Sequence, residues 1–475
     1  TATMKDAMES IQKSGIRAAF VVDGQRKLKG VVTDGDIRQA TLTGKDLNTP
    51  AKNIMISDVI TATKEAPASR LLEIMTEKSI YQIPIVGPDG VMMDVVLLME
   101  LKQIPLSKQE ITASEVEIIK DILTSPYLTL GPKVKEFESI FAKYIGVKHA
   151  IAVNSGTSGL HLAMRALDIK DGDEVITTPF SFISSANAIL YERAKPVFVD
   201  IEEKTFCIDP TSIEEKITSK TKAILPVDIF GYVADMDPIL EIAKKHNLKI
   251  IEDACEALGS EYKSRRAGSF GDVAAFGFAP NKQVTTGEGG MIVTNNDDVA
   301  RLCRSMRNYG KDEGTDSRSF SQLGFSCRLN ELSAALGVSQ MQRIEEILAR
   351  RNRIATLYTE RLRKIVDVIT PRVPDNTKMS WFVYVVRLNP EKFSREERDA
   401  VIAEMEQLGV NCRDRFPPIH LEPLYTKLLG HKEGDFPVTE RVSWSTIALP
   451  FHNNLAEEEI NYVCDSLEKV LAKVK

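Results

Sequence analysis

The spacing of hydrophobic positions changes twice along the chain. In the first hundred residues, short alternating runs such as "RAAFVVD" and "YQIPIVG" predict strands between short helices. Beyond about residue 115, fully apolar runs such as "HAIAVN", "TKAILPVD" and "VAAFGFA" alternate with helical segments. Strands that are apolar on both faces and joined by helices predict a mainly parallel sheet covered by helices. From about residue 366, "WFVYVVRL" and a long final helix predict a smaller α+β domain.

The first hundred residues contain an internal repeat with an offset of 64. Ile16 falls on Ile80, "FVVDG" on "PIVGP", and "GVVTDGDI" on "DVVLLMEL". Each copy predicts a helix, a strand, a glycine-containing turn, a second strand and another helix. Because one such unit cannot bury its sheet face alone, we expect the two copies to pack as a pair.

The repeat resembles a pair of cystathionine-β-synthase (CBS) domains over residues 1–105. Such pairs bind adenine nucleotides or related ligands through a Thr/Ser-x-x-Asp motif after the last strand, which the first copy matches with Thr33 and Asp36. A hydroxyl and a carboxylate at a strand-to-helix turn can both reach ribose hydroxyls. The second copy has Leu97 and Glu100 there, so we expect its site to be degenerate. A packing or oligomerisation module without a ligand is the alternative.

The composition of the linker predicts the domain boundaries, and the charge and cysteine pattern predict the binding partners and the cellular compartment. The stretch "LKQIPLSKQEIT" predicts a domain boundary, giving domains at 1–105, 106–365 and 366–475. With 61 Lys+Arg against 67 Asp+Glu, a net charge of −6 gives no reason to expect nucleic acid or an anionic membrane as a partner. Six cysteines without a C-x-x-C pair, and histidines without H-x-x-x-H spacing, predict no metal site and fit a reducing compartment. Without a signal core or a spanning apolar stretch, we predict a cytoplasmic protein.

Several predicted strand ends carry candidate chemistry, because ligands of open parallel sheets lie outside the carboxyl ends of the strands. In "AVNSGTSGLHLAM", the amides of Gly156, Thr157 and Ser158 begin a helix, which suits an anion such as phosphate. An ordinary helix cap by Ser155 or Thr157 explains the same residues equally well.

An acidic pair and two phenylalanines follow other predicted strands. "LKIIEDACEALG" places Glu252 and Asp253 at the end of a central strand, where burial of an unpaired carboxylate costs several kcal/mol. A pyridinium nitrogen would be a suitable partner, and capping of the next helix is the structural alternative. In "TTPFSFISSANAI", Phe180 or Phe182 could lie flat against an aromatic ligand or belong to the core.

Lys282 follows a hydrophobic strand in "FGFAPNKQVTTGEGG". A lysine in a dry pocket is a competent nucleophile toward a carbonyl, and Gly287, Gly289 and Gly290 allow close approach of the backbone to a ligand. An anion-binding helix start, an aromatic plate, an acid and a lysine are the four contacts that pyridoxal 5'-phosphate (PLP) requires. The chain therefore predicts a PLP site.

Residues 112–475 resemble fold-type I, PLP-dependent nucleotide-sugar aminotransferases of the DegT type. The predicted fold is α/β, with a mainly parallel central sheet between helices, a small C-terminal α+β domain and a preceding CBS pair. The motifs that carry the resemblance are "GPKVKEFE", "NSGTSGLHLAM", "FSFISSANAI", "EDACEALGS", "NKQVTTGEGGMIVT", "RNYG", "LGFSCRLNELSAALG" and "FPPIHLEPLY".

The resemblance implies a role for each candidate residue. Lys282 would bond covalently to the cofactor and then shuttle the proton between cofactor and substrate carbons. Asp253 would keep the pyridinium nitrogen protonated. Phe182 would stack on the ring, and Glu256 would lie near its phenolic oxygen. The other implied contacts are the phosphate turn Gly156, Thr157 and Ser158, and the sugar-side candidates Asn187 and His420.

Three positions depart from the family pattern. Gly277 stands where many relatives have a phosphate-binding serine, and Asp228 stands where a histidine is common. Ser326 replaces an asparagine that usually reaches the phosphate from the neighbouring subunit. Arg328 or water would then complete the phosphate contacts. Because the family builds its site across a two-fold axis, the resemblance implies at least a homodimer.

The lysine favours one reaction over the others of this family. Related dehydratases have histidine at the position of Lys282, so we predict transamination, with glutamate as donor and a keto group of a nucleotide-linked deoxysugar as acceptor. The segment "RDRFPPIHLEPLY" is most similar to perosamine-synthase relatives, which act on a GDP-linked 4-keto-6-deoxyhexose. We also expect an adenine nucleotide bound at the CBS pair to modulate the enzyme. A non-catalytic sensor and a PLP-dependent dehydratase or epimerase are the alternatives.

Overall fold

The chain forms two compact units in a computed structural model that describes residues 2–101, 103–312 and 319–474. The N-terminal unit is Thr1–Ile104 and the C-terminal unit is Pro105–Lys475. The further division predicted near residue 365 stays a prediction. Among the described residues, no helix combines the length and apolar character needed to cross a membrane.

The N-terminal unit contains two copies of one motif, an antiparallel strand pair with a helix on either side. The turns of the two hairpins are joined by backbone hydrogen bonds, from Leu28 to the Gly90 carbonyl at 3.1 Å and from Met92 to the Arg26 carbonyl at 3.0 Å. The predicted order of elements is confirmed in both copies. The elements are α1 (Met4–Ser14), β1 (Ala18–Val22), β2 (Leu28–Thr33), α2 (Asp34–Leu42), α3 (Ala68–Lys78), β3 (Gln82–Val86), β4 (Met92–Leu97) and α4 (Leu98–Leu101).

The C-terminal unit is built from a large sheet, two small sheets and the helices around them. Its strands are β5 (His149–Val153), β6 (Glu174–Thr177), β7 (Lys195–Phe198), β8 (Thr221–Ile224), β9 (Lys249–Asp253), β10 (Glu261–Tyr262), β11 (Arg265–Arg266), β12 (Val273–Gly277), β13 (Gly290–Thr294), β14 (Val368–Ile369), β15 (Thr377–Lys378), β16 (Tyr384–Leu388) and β17 (Thr446–Leu449). Its helices are α5 (Ala113–Thr124), α6 (Pro132–Ile145), α7 (Gly156–Ala166), α8 (Ser184–Tyr191), α9 (Met236–His246), α10 (Asp297–Met306), α11 (Glu331–Gln342), α12 (Ile344–Leu362), α13 (Arg395–Gln407), α14 (Pro423–Leu429), α15 (Pro437–Ser445) and α16 (Glu457–Val474).

The large sheet has seven strands in the order β5-β13-β12-β9-β8-β6-β7. Strands from β12 to β7 pair in parallel, whereas β13 is antiparallel to both of its neighbours. Helix α7 contacts β12 and β13, and α9 contacts β8 and β9. The mainly parallel, helix-covered sheet predicted from the apolar runs is thereby confirmed, with one reversed strand that their hydrophobicity does not distinguish.

A buried carboxylate fixes the start of α6. Glu331, on α11, accepts the amide hydrogens of Gly131, Lys133 and Val134 at 2.9, 2.8 and 3.1 Å. These amides have no partner within their own helix, because they belong to its first turn. The carboxylate also complements the positive end of the helix dipole, so it joins two segments about 200 residues apart.

Candidate active site

A cavity of about 320 Å³ lies where the carboxyl ends of β9 and β12 meet the start of α7. This is the edge at which parallel sheets bind their ligands. Its wall contains Gly156, Thr157, Phe182, Asp253, Glu256 and Lys282, so the structure brings these six predicted residues together.

The two acids at the end of β9 point to opposite faces of the sheet, because side chains alternate along a strand. Asp253 lines the cavity, and its Oδ2 accepts the Ser185 hydroxyl at 2.7 Å while its Oδ1 accepts the Cys255 amide at 3.2 Å. Burial raises the pKa of Asp253, and these donors, together with Lys282, oppose the rise. Glu252 instead binds the amides of Gly268 and Phe270. Only Asp253 is therefore placed to meet a ligand.

Lys282 projects into the cavity from the loop between β12 and β13. Its Nζ lies 3.2 Å from Glu256 Oε1 and 3.9 Å from the centre of the Phe382 ring. The other oxygen of Glu256 accepts the Phe230 amide at 2.9 Å, which fixes the carboxylate. The lysine side chain is only 14% exposed, so its amine is held in a largely dry place by one charge and one aromatic face.

Buried Arg351 holds the lysine loop from behind. Its guanidinium donates to the carbonyls of Trp381 and Phe382 at 3.1 and 3.2 Å, and to the Lys282 carbonyl at 3.4 Å. Burial lowers the pKa of Arg351 to about 10. This arginine therefore ties the lysine loop to the segment that precedes β16 and carries the neighbouring Phe382 ring.

The start of α7 provides free donors at only part of the predicted turn. Ser155 caps the helix, and its Oγ accepts the Ser158 amide at 3.1 Å. Gly156 and Thr157 line the cavity, whereas Ser158 does not. Ser158 therefore belongs to the helix cap, whereas an anion contact of Gly156 and Thr157 stays a prediction.

Close packing around this turn explains two of its glycines. A Cβ added to Gly156 would lie 2.8 Å from Cys255 Sγ, and one added to Gly290 would lie 2.5 Å from the backbone of Ser155. Gly290 was predicted to let the backbone approach a ligand. It instead allows β13 to pack closely against the start of α7. Burial, and then the charge of Asp253, raise the pKa of the Cys255 thiol well above its usual value, so the thiol stays neutral.

The two candidate phenylalanines have different environments. Phe180 is fully buried in an aromatic cluster with Phe206, Phe230 and Phe416. Phe182 is 58% exposed and lines the cavity. Of the two candidates, it is therefore Phe182 that is available to a ligand ring.

The structure does not bring the sugar-side candidates to this cavity. His420 is fully buried, and its Nε2 lies 2.9 Å from Glu440 Oε1. Burial lowers the pKa of His420, although Glu440 opposes this effect. Asn187 accepts the Tyr425 hydroxyl at 2.7 Å and thereby joins α8 to α14. Both residues make packing contacts with the C-terminal segment and lie outside this wall, and their predicted role on the sugar side stays a prediction.

Ser326 and Arg328 also lie outside the wall of this cavity. The Arg328 guanidinium contacts Asn308 Oδ1 at 3.2 Å and the Tyr309 hydroxyl at 3.3 Å. Ser326 pairs with Asn308 through an isolated backbone bridge. The resemblance assigns the position of Ser326 to a neighbouring subunit's cofactor, and that role stays a prediction.

Asp228, at the position where relatives often have histidine, lies fully buried behind the site. Its Oδ1 accepts the Ala234 amide at 3.0 Å. Burial, reinforced by Glu252, raises the pKa of Asp228 well above its ordinary value. The protonated form of the Asp228 carboxyl is therefore favoured beside Glu252, and this residue is not part of the cavity wall.

In the N-terminal unit, Thr33 lines a cavity of about 720 Å³ together with Arg17, Arg38 and Tyr81. Asp36 does not line it: its Oδ2 accepts the Thr33 hydroxyl at 2.7 Å and the Thr33 amide at 2.8 Å, which caps α2. The predicted ligand pair is thus a reciprocal helix cap. The side chain of Glu100 lies outside the described residues.

Sequence reasoning missed Ser185, Phe382, Arg351 and Arg415. Ser185 occurs in the quoted stretch "FSFISSANAI", one turn after Phe182, so a helical wheel could have placed it. The others come from segments 69 to 133 residues beyond Lys282, and no spacing pattern connects them with it.

The wall residues fit PLP. Asp253 is a buried carboxylate on the wall that lacks a cationic partner within hydrogen-bond distance among the described residues, as a pyridinium nitrogen requires. The amides at the start of α7 suit its phosphate, and Lys282 is an amine suited to its aldehyde.

Comparison with known proteins agrees with this chemistry. Residues 109–468 match the DegT/DnrJ/EryC1/StrS aminotransferase family, and residues 1–42 and 51–103 match the CBS domain. The chain is 40% identical over 374 residues to the GDP-perosamine synthase of Caulobacter vibrioides, covering 78% of this chain and 99% of that protein. It is 35% identical over 377 residues to the UDP-4-amino-4,6-dideoxy-N-acetyl-beta-L-altrosamine transaminase of Campylobacter jejuni, with 78% and 98% covered. The structure of the PLP form of Spr1654 from Streptococcus pneumoniae matches with a TM-score of 0.75 and 30% identity, covering 78% of this chain and 100% of that one.

Proposed function

The chain belongs to the DegT/DnrJ/EryC1/StrS aminotransferase family, and on that premise we propose that it transfers an amino group from glutamate to a keto group of a nucleotide-linked deoxysugar. It is a PLP-dependent sugar aminotransferase with an N-terminal pair of CBS domains. A GDP-linked 4-keto-6-deoxyhexose is the proposed acceptor, supported by the likeness to the Caulobacter enzyme.

One observation carries the proposal: a lysine amine and a buried carboxylate lie on the wall of a single cavity beside a helix start. When bound, PLP supplies an aldehyde and an electron-withdrawing ring. Asp253 would hold the proton on the ring nitrogen, and the amides of Gly156 and Thr157 would bind the phosphate. Glu256 keeps Lys282 Nζ oriented, and this amine would move the proton between carbon atoms during amino transfer. Glutamate leaves as 2-oxoglutarate, and the keto group becomes an amine.

The covalent role of Lys282 is tested by borohydride reduction. We expect reduction of full-length protein with PLP to leave the cofactor attached to the chain after denaturation, whereas Lys282→Ala should release it. Lys120→Ala is the matched control, because Lys120 is 63% exposed and pairs with Glu117 on its own helix. A protein that binds no PLP, or cofactor that stays attached to reduced and denatured Lys282→Ala, would contradict the proposal.

Product analysis separates transamination from the other PLP reactions. Incubation with glutamate and a panel of nucleotide keto-sugars should release 2-oxoglutarate in equal amounts with amino sugar. Dehydration or epimerisation consumes the sugar without releasing 2-oxoglutarate, and a non-catalytic sensor consumes neither substrate.

The CBS pair is proposed to bind an adenine nucleotide in the 720 Å³ cavity. Its volume suits a nucleotide, and Arg17 and Arg38 supply the positive charge that phosphates require. Calorimetry with AMP, ATP and S-adenosylmethionine tests this, with Arg38→Gln expected to weaken binding and Arg70→Gln, an exposed residue paired with Glu73, as control. Asp36→Ala is a poor probe because it removes a helix cap. Equal binding by both arginine variants would argue against this cavity.

A second copy of the chain is proposed to complete the active site. The position of Ser326 and Arg328 outside their own cavity supports this arrangement. Light scattering should give at least a dimer. Mixing inactive Lys282→Ala with an inactive Arg328→Ala variant should restore activity, whereas no restoration would indicate independent sites.

A further inference from the structure

Glu110 lies in the connecting segment, residues 105–110, which follows the CBS pair directly. Its Oε1 accepts the guanidinium groups of Arg343 and Arg350 at 2.6 and 3.0 Å, and its Oε2 accepts the side-chain amide of Asn453 at 2.9 Å. The Glu110 side chain is only 12% exposed. A flexible linker in solvent would make none of these contacts, so Glu110 belongs to the packed frame of the enzyme.

The connecting segment also contacts Phe451. The N-terminal unit ends at Ile104, and the Phe451 amide donates to the carbonyl of Leu106 at 2.9 Å. The ring of Phe451 is buried, and its centre lies 5.5 Å from the guanidinium carbon of Arg351. Phe451 therefore lies between the connecting segment and the arginine that holds the lysine loop.

Arg351 is a buried cation that forms no ion pair with the described residues, and it donates to three backbone carbonyls, including that of Lys282. Burying a cation costs free energy unless a negative charge compensates it. Burial lowers the pKa of Arg351, and the charge of Glu110 opposes this effect. A carboxylate of the connecting segment therefore stabilises the cation that fixes the lysine loop.

The three arginines near Glu110 differ in what they lose with its charge. Arg343 and Arg350 each pair with a second carboxylate, at 3.2 and 2.6 Å, whereas Arg351 pairs with none among the described residues. Removal of the Glu110 charge should therefore act mainly on Arg351. We propose that Glu110 is a positioning residue for Lys282, and that the connecting segment thereby couples the CBS pair to this lysine. The coupling rests on the proposed nucleotide binding by the CBS pair.

Hydrogen–deuterium exchange of the amides of residues 278–286, in full-length protein with and without PLP, measures how firmly the lysine loop is held. Three backbone amides of this loop, including that of Lys282, are hydrogen-bonded, so loosening exposes them to exchange. The variants are Glu110→Gln, which removes the charge, and Glu110→Asp, which keeps it. Glu117→Gln is the matched control, because Glu117 is 68% exposed on α5. The glutamate half-reaction is measured on the same proteins.

We expect Glu110→Gln to accelerate exchange of residues 278–286 roughly tenfold, the scale of one hydrogen bond to a charged group. The maximal rate of the glutamate half-reaction should fall by a similar factor, whereas half-saturation by glutamate should change less than about threefold, because the variant acts on the lysine and not on the donor. Glu110→Asp should restore part of both values, and Glu117→Gln should match the wild type.

Faster exchange confined to residues 106–116 and 340–350 would overturn the positioning role, because Glu110 would then only anchor its own segment. If Glu110→Gln does not fold, Asn453→Ala decides by the same measurements. It removes one hydrogen bond to the carboxylate and should accelerate exchange of the lysine loop about threefold. An unchanged lysine loop in Asn453→Ala would then refute the role.

The coupling is tested with AMP, ATP and S-adenosylmethionine on the wild type, on Glu110→Gln and on a chain with Gly-Ser-Gly-Ser inserted between Ile104 and Pro105. A ligand that binds by calorimetry should change exchange of residues 278–286 at least about fivefold in the wild type and in neither altered chain. Binding without this change, or an equal change in all three chains, would overturn the coupling.

The remaining outcomes separate this inference from the proposals on which it rests. If none of the three ligands binds, nucleotide binding by the CBS pair and the coupling fail together, and the Glu110 variants alone decide the positioning role. A wild type that releases no 2-oxoglutarate refutes the proposed aminotransferase reaction. The exchange measurements need no turnover, so they decide the role of Glu110 in that case as well.

Discussion

Replacing Gly277 with serine should tighten the binding of PLP. Gly277 is the last residue of β12 and lines the cavity beside the start of α7. A Cβ added there would lie 3.6 Å from Cβ and Sγ of Cys255 and 3.8 Å from Cα of Gly156, which are ordinary contact distances. The serine therefore fits without displacing its neighbours, and it supplies the hydroxyl that the family resemblance implies at this position.

The size of the gain follows from the bond that the hydroxyl would make. A hydrogen bond to a charged group contributes about 1.5 to 3 kcal/mol, so the dissociation constant of PLP should fall roughly 10- to 100-fold. Gly156→Ser is the contrasting variant. Its Cβ would lie 2.8 Å from Cys255 Sγ and 3.2 Å from Gly277 Cα, so it should weaken cofactor binding.

Equilibrium titration in a Lys282→Ala background measures this effect, because the covalent bond cannot then mask non-covalent affinity. PLP is compared with pyridoxal, which has the same ring and aldehyde but no phosphate. Gly277→Ser should tighten the binding of PLP and leave that of pyridoxal unchanged. Equal gains for both ligands, or no gain for PLP, would show that position 277 does not face the phosphate.

Three further predictions concern carboxylates of the C-terminal unit. Asp253→Asn should lower the rate of the glutamate half-reaction at least 100-fold, because the ring nitrogen loses its charged partner. Ser185→Ala removes one 2.7 Å hydrogen bond and should lower the same rate only about fivefold. Stopped-flow absorbance measures both rates. Asp228 has a pKa raised by burial, so the native state keeps a proton that the unfolded state releases, and stability falls as the pH rises from the ordinary aspartate pKa toward the raised one. Asp228→Asn should therefore increase the free energy of unfolding more at pH 8 than at pH 5 in urea titrations, and an equal effect at both values would contradict the protonated assignment. Glu331→Ala should lower the free energy of unfolding by about 2 to 4 kcal/mol, because three amides at the start of α6 lose their acceptor. A decrease below about 0.5 kcal/mol in the same urea titrations would show that water replaces the carboxylate as acceptor.

The sequence predicts those site residues that directly follow a strand. Lys282, Asp253 and Gly156 each follow an apolar run, and the carboxyl ends of parallel strands meet at one edge of a sheet. Their convergence on one cavity therefore depends only on local patterns and on the parallel arrangement. The same patterns predict the CBS motif order and the helix-covered sheet, although they do not reveal the reversal of β13.

Residues whose position depends on packing between distant segments are not predictable in this way. His420 occurs in a family-like motif, yet its ring is buried against Glu440, because the loop around it packs into an apolar cluster. Ser158 begins a helix like its neighbours, but the cap at Ser155 takes its amide. Arg415 lies in a loop without periodicity, and only the folded chain shows it at the cavity.

The alternation of Glu252 and Asp253 on β9 constrains how this gene can vary. A one-residue insertion or deletion within Lys249–Asp253 would reverse the facing of every later side chain in the strand. It would direct Glu252 toward the cofactor and Asp253 toward the amides of Gly268 and Phe270. Substitutions can be absorbed singly, but a change of length exchanges a binding residue with a packing residue in one step. We therefore expect natural variants of this enzyme to differ in the identity of the apolar residues of β9 and to keep its length fixed.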